Sequence, residues 1–353
     1  MTERRVRVAV LSGGRSSEHD ISLASAASVV AALDPARFEV VAIEIGREGR
    51  WELPAAGSAA LLPGASSPIV PATRSDGTVE VAASPLDVDV VLPVLHGPFG
   101  EDGTVQGLCE ILAVPYVGAG VLGSALAMDK AVCKAVLRDA GIATAPSLTL
   151  LAHRDDPDDP ALHARITDAL GLPVFVKPAR LGSSVGISKA ADTAELATAI
   201  ALAFGHDDKI LVERFIGGRE VECGVLGNDA PIASAVGEIL PHNDWYDFEA
   251  KYAEGGSDIV IPARISAEDT RLVQDTALRA FEACDLAGMA RIDFFLLADG
   301  TVVLNEINTI PGFTSTSVYA SLFAASGLPY AELLSRLIDL ALERHARRAR
   351  LRY

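Results

Sequence analysis

The chain has 353 residues, half of them hydrophobic, and a formal net charge of -17. At about 150 residues per domain this length implies two or three domains, and its apolar residues fall in short runs that never approach the roughly 18 needed to cross a membrane. The acidic balance argues against nucleic acid as the main partner, because phosphate backbones are held by clustered cations.

The first strand follows directly on MTERR, with no cleavable apolar segment before it, so the expected location is the cytoplasm. The chain opens as a strand (Arg5 to Ser12), a Gly-Gly turn, a helix (Asp20 to Leu33), a strand (Glu39 to Ile45) and an apolar run (Val88 to Leu95) ending at His96-Gly97, an α/β alternation. Trp51 to Pro85 is rich in Ala, Gly, Pro and Ser and reads as a loop-rich insertion. A second unit begins near Gly123 with one helical run, SALAMDKAVCKAVLRDAGI. Strands Ser147 to Leu151 and Pro173 to Pro178, the glycine-rich RLGSSVGIS, a helix Asp192 to Phe204 and strands Lys209 to Phe215 and Glu220 to Leu226 follow. The remainder reads as a third unit: strand Ile232 to Leu240, polar loop His242 to Asp258, helix Ala267 to Cys284, a hairpin Met289 to Ile307 and C-terminal helices. The domain boundaries expected are 1-122, 123-216 and 217-353. Cys109, Cys133, Cys223 and Cys284 are far apart in apolar stretches and read as reduced core residues. Five arginines near the end (Arg344, Arg347, Arg348, Arg350, Arg352) read as a solvated helix terminus.

The hairpin carries the first chemical signal. Asp299-Gly300 is a strong two-residue turn, and taking it as the loop pairs Ala298 with Thr301. Counting outward sets Asp293 opposite Glu306 and Arg291 opposite Asn308, all on one face. Opposed carboxylates repel, and a bound cation resolves the repulsion. Oxygen ligands without His or Cys favour Mg²⁺ or Mn²⁺. The plainer alternative is a pair of surface salt bridges, which the apolar neighbours Ile292, Phe294, Phe295, Leu304 and Ile307 disfavour. Mg²⁺ commonly joins carboxylates to substrate phosphates. No Walker A motif is present, and the turn after the first strand reads SGGRSSE rather than G-x-G-x-x-G. Instead Lys177 ends a β-rich run ahead of Gly182-Ser183-Ser184-Val185-Gly186, whose amides and hydroxyls suit phosphate, although such a stretch alone is also an ordinary loop. Lys130, on the helix of the second unit, is by itself a solvated lysine.

The blocks SGGRSSEHDIS, LHGPFGEDGTVQG, MDK, VFVKPARLGSSVGIS, LVERFIGGREVECGVL, YDFEAKY, ARIDFF and LNEINTIPGFTSTS, in this order over nearly the whole chain, resemble the ATP-grasp superfamily and, more narrowly, the D-alanine-D-alanine ligase family. The resemblance implies a three-domain α/β architecture, an N-terminal Rossmann-like domain and two α+β domains enclosing ATP. It also implies ligation of two D-alanines through an acyl phosphate for peptidoglycan precursors, and a homodimer. Carried over motif by motif, Asp293, Glu306 and Asn308 resemble the ligands of two Mg²⁺ ions, and Lys130 and Lys177 phosphate contacts, with Ser184 in the same loop. Glu213 resembles the contact to the adenine edge and Glu220 that to the ribose. Glu18 resembles the acceptor for the first D-alanine's ammonium, with His96 beside it. Ser183 and Tyr252 resemble a tie between the glycine-rich and polar loops, with Lys251 adding positive charge. Arg291 and the Gly312 amide resemble oxyanion stabilisers, and Ser317 a contact for the second D-alanine's carboxylate. Leu181 stands where the family often has an acidic residue. The rival reading is a D-alanine-D-lactate ligase or another carboxylate-amine ligase of the superfamily, against which YDFEAKY, EHDIS and GFTSTS argue.

Overall fold

The computed structural model describes residues 4–52, 72–73, 79–80, 87–241 and 257–352. Most of the Trp51 to Pro85 stretch and of the His242 to Asp258 loop lies outside them, including Lys251 and Tyr252.

In the first unit, strand β1 (Val6–Gly13) leads to helix α1 (His19–Ala32), β2 (Phe38–Ile45), β3 (Trp51–Glu52), the short pair β4 (Ala72–Thr73) and β5 (Val79–Glu80), β6 (Val90–Pro93) and α2 (Thr104–Ile111). Its main sheet has the order β3-β2-β1-β6, with β1 parallel to both β2 and β6. Almost every residue of β1 is buried, as expected for a parallel strand covered on both faces. Gly13 ends it at φ +82°, where a Cβ would stand 2.3 Å from the Ile45 carbonyl oxygen. Only glycine fits there, and the turn delivers Glu18 to the start of α1.

The single helical run expected at the second unit is two helices, α3 (Val121–Met128) and α4 (Lys130–Asp139). Asp129 breaks it by adopting extended backbone, and its carboxylate accepts the Val132 N–H at 3.1 Å, so a competing cap outweighs helical continuity. Strand β7 (Ser147–Leu151) matches its expectation. Next come α5 (Pro160–Leu170), β8 (Val174–Pro178), β9 (Ser188–Ala190), α6 (Thr193–Phe204) and β10 (Lys209–Arg214), which build an antiparallel sheet β7-β10-β8-β9. Helix α5 adds to the expected elements: Asp159 caps it, and Leu162, Ile166 and Leu170 face inward at four-residue spacing.

The third sheet, ordered β13-β12-β11-β14-β15, is antiparallel throughout. Its strands are β11 (Arg219–Gly227), β12 (Ile232–Pro241), β13 (Ser257–Val260), β14 (Gly288–Leu296) and β15 (Val302–Asn308), with α7 (Ala267–Ala283) between β13 and β14. Helices α8 (Val318–Ala325) and α9 (Tyr330–Arg348) complete the chain.

The cores do not follow chain order. Cys133 and Leu137 of α4 pack with Val221, Phe281, Ile292 and Phe294 beneath the third sheet. Leu333, Leu334, Leu337 and Ile338 of α9 pack with Val8, Val10 and Leu92 beneath the first. Residue Arg344 corrects the reading of a solvated terminus: it is buried, donates to the backbone carbonyls of Tyr116 and Gly118, and lies over the Tyr116 ring. Carbonyls at the end of the first unit recruit it. Arg347 and Arg348 are exposed and pair with Asp229 and Glu110, and Arg350 and Arg352 are exposed. All four cysteines are buried and free.

Candidate active site

The hairpin register at the site is the expected one, but it arises differently. Leu297, not Ala298, pairs with Thr301 (N to O 2.9 Å), and Gly300 at φ +83° closes a three-residue loop of Ala298, Asp299 and Gly300. Phe294 therefore faces Leu304, one residue off the two-residue count. Asn305 is an extra residue on β15, and this bulge restores the count, so that Asp293 faces Glu306 and Arg291 faces Asn308.

Alternation along β14 turns Ile292, Phe294 and Leu296 into the core and Arg291 and Asp293 to the opposite face. There Arg291 grips Asp293 bidentately, Nε to Oδ1 and Nη2 to Oδ2 both at 2.8 Å. Asn308 donates its amide to Asp293 Oδ2 at 2.9 Å. Glu222 lies across from Asp293 on β11, with Oε2 3.1 Å from Arg291 Nε. Burial disfavours the Arg291 charge, but the Asp293, Glu222 and Glu306 carboxylates outweigh it and hold the guanidinium firmly protonated. Sequence reasoning passed over Glu222. Its signal is the i, i+2 spacing from Glu220, which places both on one face of β11.

Among the described residues no cluster of three or more His, Cys, Asp or Glu is suited to hold a metal. What the hairpin offers is two facing carboxylates and an amide, all hard oxygen donors in one place. That set fits an ion that completes its shell with phosphate and water rather than one caged by protein.

Helix α4 and the second sheet supply the cations. Lys177, at the end of β8, pairs with Glu213 on β10, and Lys134 reaches the same carboxylate at 2.8 Å. Burial alone would raise the Glu213 pKa, but the two lysine charges bring it down to about 2. Lys130 donates from Nζ to the Leu181 carbonyl at 2.7 Å and lies 3.9 Å from Glu306 Oε2, so it links the glycine-rich loop to the hairpin. In that loop Ser183 and Ser184 both take left-handed backbone, φ +51° and +57°, a conformation that two successive L-residues hold only under constraint.

Loops of the first unit close one side. Glu18 Oε2 lies 3.1 Å and 3.4 Å from where Cβ atoms on Gly97 and Gly182 would be, so its carboxylate sits between the two loops. His96 Nδ1 donates to the Ile310 carbonyl at 3.0 Å. Glu101, which sequence reasoning did not single out, accepts from the Gly97 N–H at 2.8 Å and the Ile310 N–H at 2.9 Å, tying the His96 loop to the segment after β15. Burial, reinforced by the Glu18 charge, pushes its pKa up to about 7. Beyond Ile310, Ser317 opens α8 and its Oγ accepts the Thr314 N–H at 2.9 Å; a Cβ on Gly312 would stand 3.4 Å from that oxygen.

A cleft of about 400 Å³ between the second and third sheets gathers Lys130, Lys177, Ser183, Ser184, Glu213, Glu220, Glu222, Arg291, Asp293 and Glu306. This is a volume typical of small-molecule sites. Asn308 adjoins through Asp293, and Glu18 through Gly182. Lys251 and Tyr252 lie outside the described residues.

Comparison with known proteins places these features in a family context. The family description "D-ala D-ala ligase N-terminus" matches residues 7–119, and "D-ala D-ala ligase C-terminus" matches residues 136–339. A D-alanine--D-alanine ligase of Geobacillus thermodenitrificans is 46% identical over 363 residues, covering 99% of each chain. One of Deinococcus radiodurans is 49% identical over 341 residues, covering 96% of this chain and 98% of the relative. Among solved structures, the D-alanine-D-alanine ligase from Coxiella burnetii superposes with a TM-score of 0.84 at 38% identity, over 98% of this chain and 96% of that one.

Proposed function

This chain belongs to the D-alanine-D-alanine ligase family and joins two D-alanines in an ATP-dependent reaction, and from that premise we propose how the residues of its ATP-grasp cleft divide the work. A carboxylate does not react with an amine near neutral pH, so its oxygen must first become a leaving group. Phosphorylation of the first D-alanine by ATP supplies that activation, and the second D-alanine's amine then displaces phosphate.

The observation that carries the assignment is the facing pair Asp293 and Glu306 in one cleft with Lys130, Lys177 and the glycine-rich loop. Asp293, Glu306 and Asn308 are the residues to hold Mg²⁺ or Mn²⁺; Asn308 would present its amide oxygen, in place of the nitrogen that donates to Asp293. When bound, the ions neutralise charge on the transferring phosphoryl group. Lys130 and Lys177 take phosphate oxygens, and the amides and hydroxyls around Ser183 and Ser184 cover them. Glu213 meets the adenine edge and Glu220 the ribose hydroxyls.

Arg291, buried and permanently charged, faces the oxyanion of the tetrahedral intermediate together with the Gly312 N–H. Glu18 takes the first D-alanine's ammonium, with His96 beside it, and Ser317 takes the second D-alanine's carboxylate. For Tyr252 and Lys251, outside the described residues, the family resemblance supports the proposed roles of partner to Ser183 and of added positive charge, and keeping water from the acyl phosphate is what such a tie would serve. No helix among the described residues is long and apolar enough to cross a membrane; the proposed location is the cytoplasm and the proposed assembly a homodimer.

Phosphate release with ATP and Mg²⁺, offering D-alanine, L-alanine or D-alanine plus D-lactate, with the product identified by mass, tests the assignment. Release that depends on D-alanine and yields the dipeptide is expected. Release without D-alanine dependence, or a depsipeptide product, would refute it.

A further inference from the structure

Lys134 has no role in the division of work above, and it does not line the cleft. It follows Lys130 by four residues on α4, so both sit on one helix face, yet its side chain is only 2% exposed. Its ammonium lies 2.8 Å from Glu213 Oε1 and 3.1 Å from the backbone oxygen of Asn305, the bulge residue of β15. One buried cation thus spans the two sheets that wall the cleft. Lys177 holds the same Glu213 from the other side, but it borders the cleft from the end of its strand.

We propose that Lys134 is a positioning residue that serves as the standing cation of Glu213, so that Lys177 is free to leave Glu213 for the phosphates of an entering nucleotide. A carboxylate as buried as Glu213 needs a partner at all times. With Lys134 anchored on Asn305, Glu213 keeps one when Lys177 turns to phosphate, and its own direction toward the cleft is preserved. Without Lys134, Glu213 retains Lys177, and the phosphates lose that contact. The inference rests on the reading of the cleft as a nucleotide site.

Its signature is the preference for ATP over adenosine, measured as the ratio of their dissociation constants with Mg²⁺ present on the full chain. Lys134→Met is expected to lower that preference about tenfold, the loss of one charged contact. Adding Glu213→Gln removes the charge that traps Lys177, so the double variant is expected to match Glu213→Gln alone to within about twofold. A purely structural lysine would reduce thermal stability while leaving the preference unchanged, and that result overturns the proposal. So does a double variant with lower preference than Glu213→Gln, a comparison that stands even if Lys134→Met alone does not fold, because the double variant buries no unpaired carboxylate. A wild-type chain that binds ATP no better than adenosine would remove the nucleotide reading itself and this proposal with it.

Discussion

Asp293 stands opposite Glu306 because two irregularities cancel: the three-residue turn shifts the pairing by one, and the extra residue Asn305 shifts it back. The side-chain period of a strand is two, so either irregularity alone would send one carboxylate to the other face. Deleting Asn305 removes the bulge and the extra residue together, so Leu304 and Glu306 become consecutive across from Phe294 and Asp293, and Asp293 should still face Glu306 with turnover retained. Phosphate-release assays, with circular dichroism for folding, check this: loss of turnover in a folded deletion variant would contradict the register.

Glu306→Gln should abolish turnover while leaving the fold intact. Glu306 is partly exposed, so neutralising it costs little stability, whereas a metal ligand loses its charge. Near-normal activity at saturating Mg²⁺ would contradict the ligand assignment.

Arg291→Lys should lower kcat by about 10²- to 10³-fold, the scale of losing one oxyanion donor. A lysine cannot reproduce the two parallel bonds to Asp293. Arg291→Met should in addition destabilise the fold by about 3 to 5 kcal/mol, since Asp293 and Glu222 would lose their buried partner. Urea denaturation separates the two effects: equal stability of both variants and wild type would contradict the buried network.

Glu101 introduces a pH dependence. Its pKa is about 7 in the folded chain against 4.5 ordinarily, so the native state binds more protons between those values. Its contribution to stability is full below about pH 4.5 and is lost as the pH rises through about 7. Wild-type stability should fall across that window relative to Glu101→Gln, measured by urea midpoints at several pH values. Parallel profiles would refute the shifted carboxyl.

Arg344→Met should destabilise the chain by about 3 kcal/mol or more, because two buried carbonyls lose a charged donor. Once folded, the variant should keep its kcat, since Arg344 lies outside the cleft. An unchanged melting temperature would place the helix docking elsewhere.

The sequence by itself determined whatever depends on near neighbours. Strand and helix periods and the motif order revealed an α/β fold and the family. The face shared by Arg291, Asp293, Glu306 and Asn308 was legible because a hairpin makes register a matter of counting, although the true count needed a bulge that no local pattern announces. Tertiary structure alone decided the rest. Lys134 and Lys177 meet on Glu213 from a helix and a strand, Glu101 ties two distant loops, and Arg344 leaves the solvent for carbonyls more than two hundred residues away. Each is a buried polar group whose partner is chosen by desolvation, and desolvation depends on which surfaces the fold brings together.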